Sequence, residues 1–235
     1  MAEETKNNID AVKDLLGRLE AEGRIPFFIR PEKTPQRRWQ RRQYPSGVNF
    51  SAPADPALMG RYNDPSGRRG ICYTADFAAT ALAESLGRVY HQNPGAFTLG
   101  LSDLKRAHLY TLETTRETKV ISMIRLQAML HLTADVTMGS DYAVTQAITE
   151  WAANAPGLTY DGIAYPSRHF GVGMCTAYWM REGETGLLAD VASSPVDTYV
   201  DIAQENFPQN WADHDITGFE IIAETLRFDI TNDEL

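Results

Sequence analysis

Gly70-Ile71-Cys72-Tyr73, then Thr74, then Ala81-Leu82-Ala83-Glu84-Ser85-Leu86-Gly87 is the stretch whose reading decides the fold class. Residues 70–73 are strand-like, Thr74 can cap a helix, the alanine-rich run carries that helix to about Leu86, and Gly87 offers a stop. Upstream, Ile9, Val12, Leu15, Leu16 and Leu19 fall at helical spacing within residues 8–21. Ile25 to Arg30 then reads as a short strand, and a polar loop rich in Arg, Pro, Gly and Ser follows to about Gly60. A loop of that length suggests function or mobility.

Downstream, strands are expected at 107–113, 118–123, 161–165 and 174–180, and helices at 124–132 and 141–154. Residues 217–229 alternate loosely between apolar and polar positions, and the terminal Asp233-Glu234-Leu235 is expected to fray. The pattern predicts an α+β fold, a single compact domain around a mixed or antiparallel sheet. Residues 1–24 form a helical extension and 25–235 the main domain.

At 235 residues and 43% apolar content the chain can bury a substantial core. No run approaches the roughly 20 apolar residues that span a bilayer. The polar start Met1-Ala2-Glu3-Glu4 lacks the build of a signal peptide, which predicts a cytosolic protein. Two cysteines, Cys72 and Cys175, and five scattered histidines show no metal-ligand spacing, so no metal is expected. Both cysteines read as buried spectators. Phe170-Gly171-Val172-Gly173 lacks the third glycine and the βαβ context of a dinucleotide fingerprint.

Four residue types in apolar or glycine-marked settings carry the candidate chemistry. Arg61, in Gly60-Arg61-Tyr62-Asn63, has a guanidinium fork that matches phosphate oxygens, although it can equally bridge carbonyls or Asp64. Tyr73 can stack on a ring or hold a hydroxyl, or be a half-buried core residue. Glu84 shares a helical face with Phe77 and Ala81, which would shield it, but Arg88 at i+4 offers an exposed ion pair instead. Ser167 closes Asp161-Gly162-Ile163-Ala164-Tyr165-Pro166-Ser167. It can touch a ligand or cap its own turn, and no Gly-x-Ser-x-Gly elbow makes it a nucleophile.

The order of these residues, with 12 positions from Arg61 to Tyr73 and 11 from Tyr73 to Glu84, resembles the RES domain family over about residues 27–179. The family is named for an Arg, a Glu and a Ser and is known chiefly for NAD-consuming toxins of bacterial toxin–antitoxin pairs. The resemblance implies a fold related to ADP-ribosyltransferases and NAD as substrate, with no cofactor. It implies Arg61, Tyr73, Glu84 and Ser167 as catalytic residues, and Arg30, Arg61, Tyr62, Tyr73 and Ser167 as NAD-binding residues. It also implies a cognate antitoxin as partner. The acceptor of the ADP-ribosyl group can be water, phosphate or a protein. Homo-oligomerisation is open, and the N-terminal helix or the segment after about Arg181 could carry it.

A reading from a different class rests on charge. The chain carries −9 overall, which disfavours general nucleic-acid affinity, yet residues 30–42 hold Arg30, Lys33, Arg37, Arg38, Arg41 and Arg42 against Glu32 alone. With Trp39 and Tyr44 interleaved, that arm could hold a phosphate-bearing ligand, RNA or an acidic protein in a non-catalytic module.

Overall fold

The computed structural model describes residues 2–92, 97–157, 159–201 and 215–233. Its helices are α1 (Ala2–Ala21), α2 (Ala78–Gln92), α3 (Leu101–Arg106), α4 (Met123–Met129), α5 (Ala134–Met138), α6 (Ala143–Asn154) and α7 (Gly218–Glu220). The strands begin with β1 (Phe27–Arg30), β2 (Pro35–Gln40), β3 (Ile71–Ala75), β4 (Leu99–Gly100), β5 (His108–Thr114) and β6 (Thr118–Ser122). They continue with β7 (Gly162–Pro166), β8 (Met174–Trp179), β9 (Leu188–Pro195), β10 (Val200–Asp201), β11 (Ile216–Thr217) and β12 (Ile230–Thr231).

Eight strands form one sheet in the order β1-β6-β7-β8-β3-β2-β5-β9. Every neighbouring pair is antiparallel except β6 and β7, so the sheet is mixed, as the sequence pattern predicts. A parallel pair needs a crossover, and α4, α5 and α6 lie in the chain between β6 and β7.

The period-2 alternation of the strands sends side chains to two cores. Ile71, Ala75, Leu109, Ile121, Ile163 and Trp179 join the larger core with Val12, Leu16 and Leu19 of α1, Leu82 and Leu86 of α2, and Val144 and Ile148 of α6. Cys72, Tyr110, Leu112, Val120, Ala164 and Tyr178 face a smaller core with Leu187 and Leu188. The α1 helix thus contributes to the main core, and its Lys13 Nζ pairs with Glu150 Oε2 of α6 at 2.7 Å. Among the described residues no helix is long and apolar enough to cross a membrane.

Five local expectations are corrected. The predicted polar loop contains β2, a central strand paired with β5 from Pro35↔Glu113 to Gln40↔His108 and with β3 at Arg37↔Ala75. Its polar composition hid it, because Gln36 is buried through hydrogen bonds rather than apolar packing. Its Oε1 accepts the Thr74 hydroxyl at 2.7 Å. Thr74 is therefore a sheet residue and not a helix cap, and α2 begins four residues later.

Gly87 does not stop α2, which continues to Gln92. It is a packing glycine: a Cβ there would lie 2.5 Å from Cγ of His169. Residues 217–229 hold a capping box, in which Thr217 Oγ1 accepts from Glu220 N and Glu220 Oε2 accepts from Thr217 N. The π-helical turn Ile221–Thr225 follows. Buried Ile216, Ile221 and Ile222 set that spacing, which a strand cannot match. Of the terminal tripeptide, Asp233 is tied back by Ser102 N at 3.0 Å, while Glu234 and Leu235 lie outside the described residues.

Asp161 is 2% exposed and anchors the start of β7. It accepts from Arg116 at 3.1 and 2.8 Å and from Lys119 N at 2.8 Å, and it pairs with Arg181 at 3.2 Å. Glu184 pairs with the same two guanidiniums, at 2.6 and 2.7 Å. Asp161→Ala leaves both arginines without their buried partner and is expected to lower stability by about 3 kcal/mol. Urea unfolding checks this through a lower midpoint at an unchanged m-value.

Candidate active site

A cleft of about 250 Å³ opens where α2 crosses the sheet. Tyr73 and Ala75 of β3, Tyr165 of β7 and Cys175 of β8 line its sheet side, Ala81, Glu84, Ser85 and Arg88 of α2 line another, and Arg37 and Trp39 of β2 reach it too. The 12-residue crossover helix α6 and the residues before it supply Tyr142.

Glu84 is the centre of this arrangement. Its Oε1 accepts from Ser167 Oγ at 2.7 Å, from Arg168 N at 2.5 Å and from His169 N at 3.4 Å. Its Oε2 lies 3.7 Å from Arg61 Nη2. The i+4 pair with Arg88 that the sequence allows is not formed; the donors come from a turn 83–85 residues away. A carboxylate so held keeps one orientation, with its second oxygen toward Arg61.

The Ser167 turn is closed by Ser167 N donating to Gly173 O and Gly173 N donating to Phe170 O, both at 2.8 Å. It rests on α2 at two close approaches. His169 sits over Gly87, and Gly173 sits against Thr80, where a Cβ would lie 2.0 Å from Thr80 Oγ1. The Gly-x-Gly at 171–173 thus has a packing role at its second glycine. Ser167 is 1% exposed and accepts from His169 N and Phe170 N at 3.2 and 2.9 Å while donating to Glu84. It stands behind the carboxylate and outside the cleft lining, combining the turn-capping role with the aiming of Glu84.

Arg61 is 8% exposed and lines the cleft. Its guanidinium lies over the Tyr165 ring, 5.0 Å from the centroid, and Nη1 donates to Thr137 O at 3.1 Å. Asp64 is not its partner, since that carboxylate accepts from Ser66, Arg69 N and Asn154. Tyr62 is buried beneath it, stacked on Tyr165 with centroids 4.2 Å apart, and does not line the cleft. Tyr73 presents its ring to the cleft while its hydroxyl accepts from Tyr62 N and donates to Asn63 Oδ1, both at 3.0 Å. Burial pushes both phenols well up.

Arg30 stands apart from this group. Its guanidinium donates to Asp76 Oδ1 at 3.0 Å and to the Tyr178 hydroxyl at 3.3 Å, outside the cleft lining. The strand arginines at the cleft are Arg37 and Arg38 of β2, five places from β1 in the sheet order. The sequence reading missed Arg37, Trp39, Arg88, Tyr142 and Arg168 as site residues. Two signals were present: Arg37 and Trp39 alternate with Gln36 and Arg38, and Ala81, Glu84, Ser85 and Arg88 follow i, i+3, i+4, i+7 on one helical stripe.

Both cysteines are free and buried, and burial raises the Cys72 and Cys175 thiols, so neither is poised as a thiolate. Among the described residues no group of three or more His, Cys, Asp or Glu side chains could hold a metal ion; His214 lies outside them.

An α+β domain whose cleft gathers an arginine, a tyrosine and a serine-held glutamate defines the class, and the comparisons agree. A family model described as RES domain matches residues 34–201, and the chain belongs to the RES domain family. The match begins after Arg30 and includes Arg37. In fold the chain is similar to a solved chain of the M. tuberculosis MbcT–MbcA toxin–antitoxin complex, with a TM-score of 0.56 and 19% identity. The match covers 91% of this chain and 96% of that one. No curated protein matches the sequence.

Burial holds the His169 imidazole below its ordinary pKa of 6.5, and His108 shifts the same way for the same reason. A depressed folded-state value means the unfolded chain binds the proton first, so this stability is present above about 6.5 and is lost as pH falls below it. Unfolding midpoints taken from about pH 8 to about pH 5 are expected to fall on the acid side, with a shallower fall in His169→Gln.

Proposed function

We propose that the chain cleaves the nicotinamide–ribose bond of NAD, as a toxin-like enzyme on a fold related to ADP-ribosyltransferases, with water or phosphate as acceptor. The observation that carries this reading is Glu84, a carboxylate fixed by three donors in a cleft whose other charged lining residues are arginines.

In the proposed reaction the C–N bond between ribose and nicotinamide breaks, and its electron pair goes to the pyridinium nitrogen. Nicotinamide departs neutral without needing a strong acid. The ribosyl carbon gains oxocarbenium character, which the Glu84 carboxylate stabilises and orients through the ribose hydroxyls. An acceptor oxygen then bonds to that carbon and gives up its proton to solvent.

Arg61 and Arg37 are the proposed phosphate ligands, through paired N–H donors. The Tyr73 and Trp39 rings are available for stacking on a base. Ser167 acts through Glu84, and Tyr62 through Arg61 and Tyr165. Arg30 is proposed to hold the sheet edge through Asp76 and Tyr178 rather than to bind NAD. A protein acceptor would use the same groups and make the enzyme an ADP-ribosyltransferase. The antitoxin in the complex of similar fold supports a cognate antitoxin as partner here.

The non-catalytic reading needs a continuous basic arm. Arg30 is engaged with Asp76, Arg37 faces the cleft, and Arg38 donates to Asn49 O and Cys72 Sγ. These guanidiniums are dispersed over different partners, which favours the enzyme.

Nicotinamide release from NAD by the purified chain, with and without phosphate, tests the proposal. Arg61→Ala and Glu84→Gln, shown to be folded, are each expected to reduce release by about 10²–10³-fold. Phosphate dependence of the wild-type rate identifies the acceptor. An inactive wild type under both conditions would remove NAD hydrolysis and phosphorolysis.

A further inference from the structure

Arg88 is a cleft arginine that the proposed reaction leaves without a role. It lies one helical turn beyond Glu84 on the α2 stripe Ala81, Glu84, Ser85, Arg88, all of which line the cleft. The side chain is exposed, so it stands at the mouth of the cleft.

The other guanidiniums there are engaged. Arg61 holds Thr137 O and faces Glu84, Arg168 donates to Gly139 O and lies over Tyr142, and Arg37 bonds Gln36 O and Tyr199. The carboxylate at i−4 is occupied by the Ser167 turn and Arg61. Among the described residues Arg88 makes no hydrogen bond or ion pair, although its positive charge is felt at the Tyr73 phenol. A guanidinium has five N–H donors and no acceptor, so an unengaged one beside a cleft lined by a single carboxylate awaits an anion. The bidentate fork matches a phosphoryl group.

We propose that Arg88 binds a phosphate group at the mouth of the cleft, belonging either to the dinucleotide or to an inorganic phosphate acceptor. The inference rests on the NAD reading for its substrate but not for its chemistry. An arginine acting only on phosphate affects binding and leaves the carboxylate-assisted bond cleavage intact.

The experiment measures KM and kcat for NAD at saturating phosphate, and for phosphate at saturating NAD, in the wild type, Arg88→Ala and Arg88→Lys. The expected result is a rise of about tenfold in one KM for Arg88→Ala, with kcat within about twofold and partial recovery in Arg88→Lys. A rise in the NAD constant assigns the dinucleotide phosphate, and a rise in the phosphate constant assigns the acceptor. Both constants unchanged would overturn the proposal. The unfolding midpoint is expected to stay at the wild-type value, because no described contact is lost.

Calorimetric titration of ADP-ribose and of inorganic phosphate into the same proteins separates this proposal from the reaction above. If the wild type does not cleave NAD, the catalytic reading fails while weaker binding of either probe by Arg88→Ala still supports the phosphate site. Equal binding by wild type and variant, or no binding of either probe to the wild type, would overturn it.

Discussion

The carboxylate of Glu84 and the three donors that meet its Oε1 are the constraint on which the rest of the site depends. A glutamate side chain has three rotatable bonds, and left to solvent it would explore many positions. Here the Ser167 turn fixes one oxygen, so the other is aimed toward Arg61. That arrangement requires the turn to lie close against α2, and the two glycine contacts, at Gly87 and at Gly173, permit it. Helix position, turn position and carboxylate orientation are thus one packing problem with one solution.

Charge is distributed in keeping with this. The chain as a whole carries −9, yet five arginines and one glutamate line the cleft. A concave, low-dielectric wall focuses such a local field, so an anionic ligand meets attraction at the cleft despite the acidic remainder. Within the basic run at residues 30–42, Arg30 engages Asp76 and Arg38 donates to Asn49 O and Cys72 Sγ, while Arg37 faces the cleft.

Much of this was legible in the sequence. The apolar strands β5, β6, β7 and β8 announced themselves because their cores are apolar, and α6 did so through Val144, Ala147 and Ile148. Arg61, Tyr73 and Glu84 were identified through order and spacing, and the structure brings all three to one cleft. What escaped notice was polar and central. The strand β2 is buried through Gln36 and Thr74 hydrogen bonding, which no hydrophobic period reveals. Arg30 and Arg37 both sit in strands, and only the strand order decides which faces the cleft. Gly87 reads as a helix stop until its neighbour across space, His169, is known.

The parallel pairing of β6 with β7 has a consequence for how the protein becomes competent. Residues 120–122 must wait for residues 162–164 before they pair, and the chain between them contains the Thr137 carbonyl that Arg61 grips. Glu84, made early, meets its donors only after the chain has been synthesised through residue 169. Closing such long loops slows folding and comes after local helices form. A nascent or partly folded chain therefore has its glutamate in place on a helix but not aimed, so the aimed carboxylate is a property of the finished fold alone.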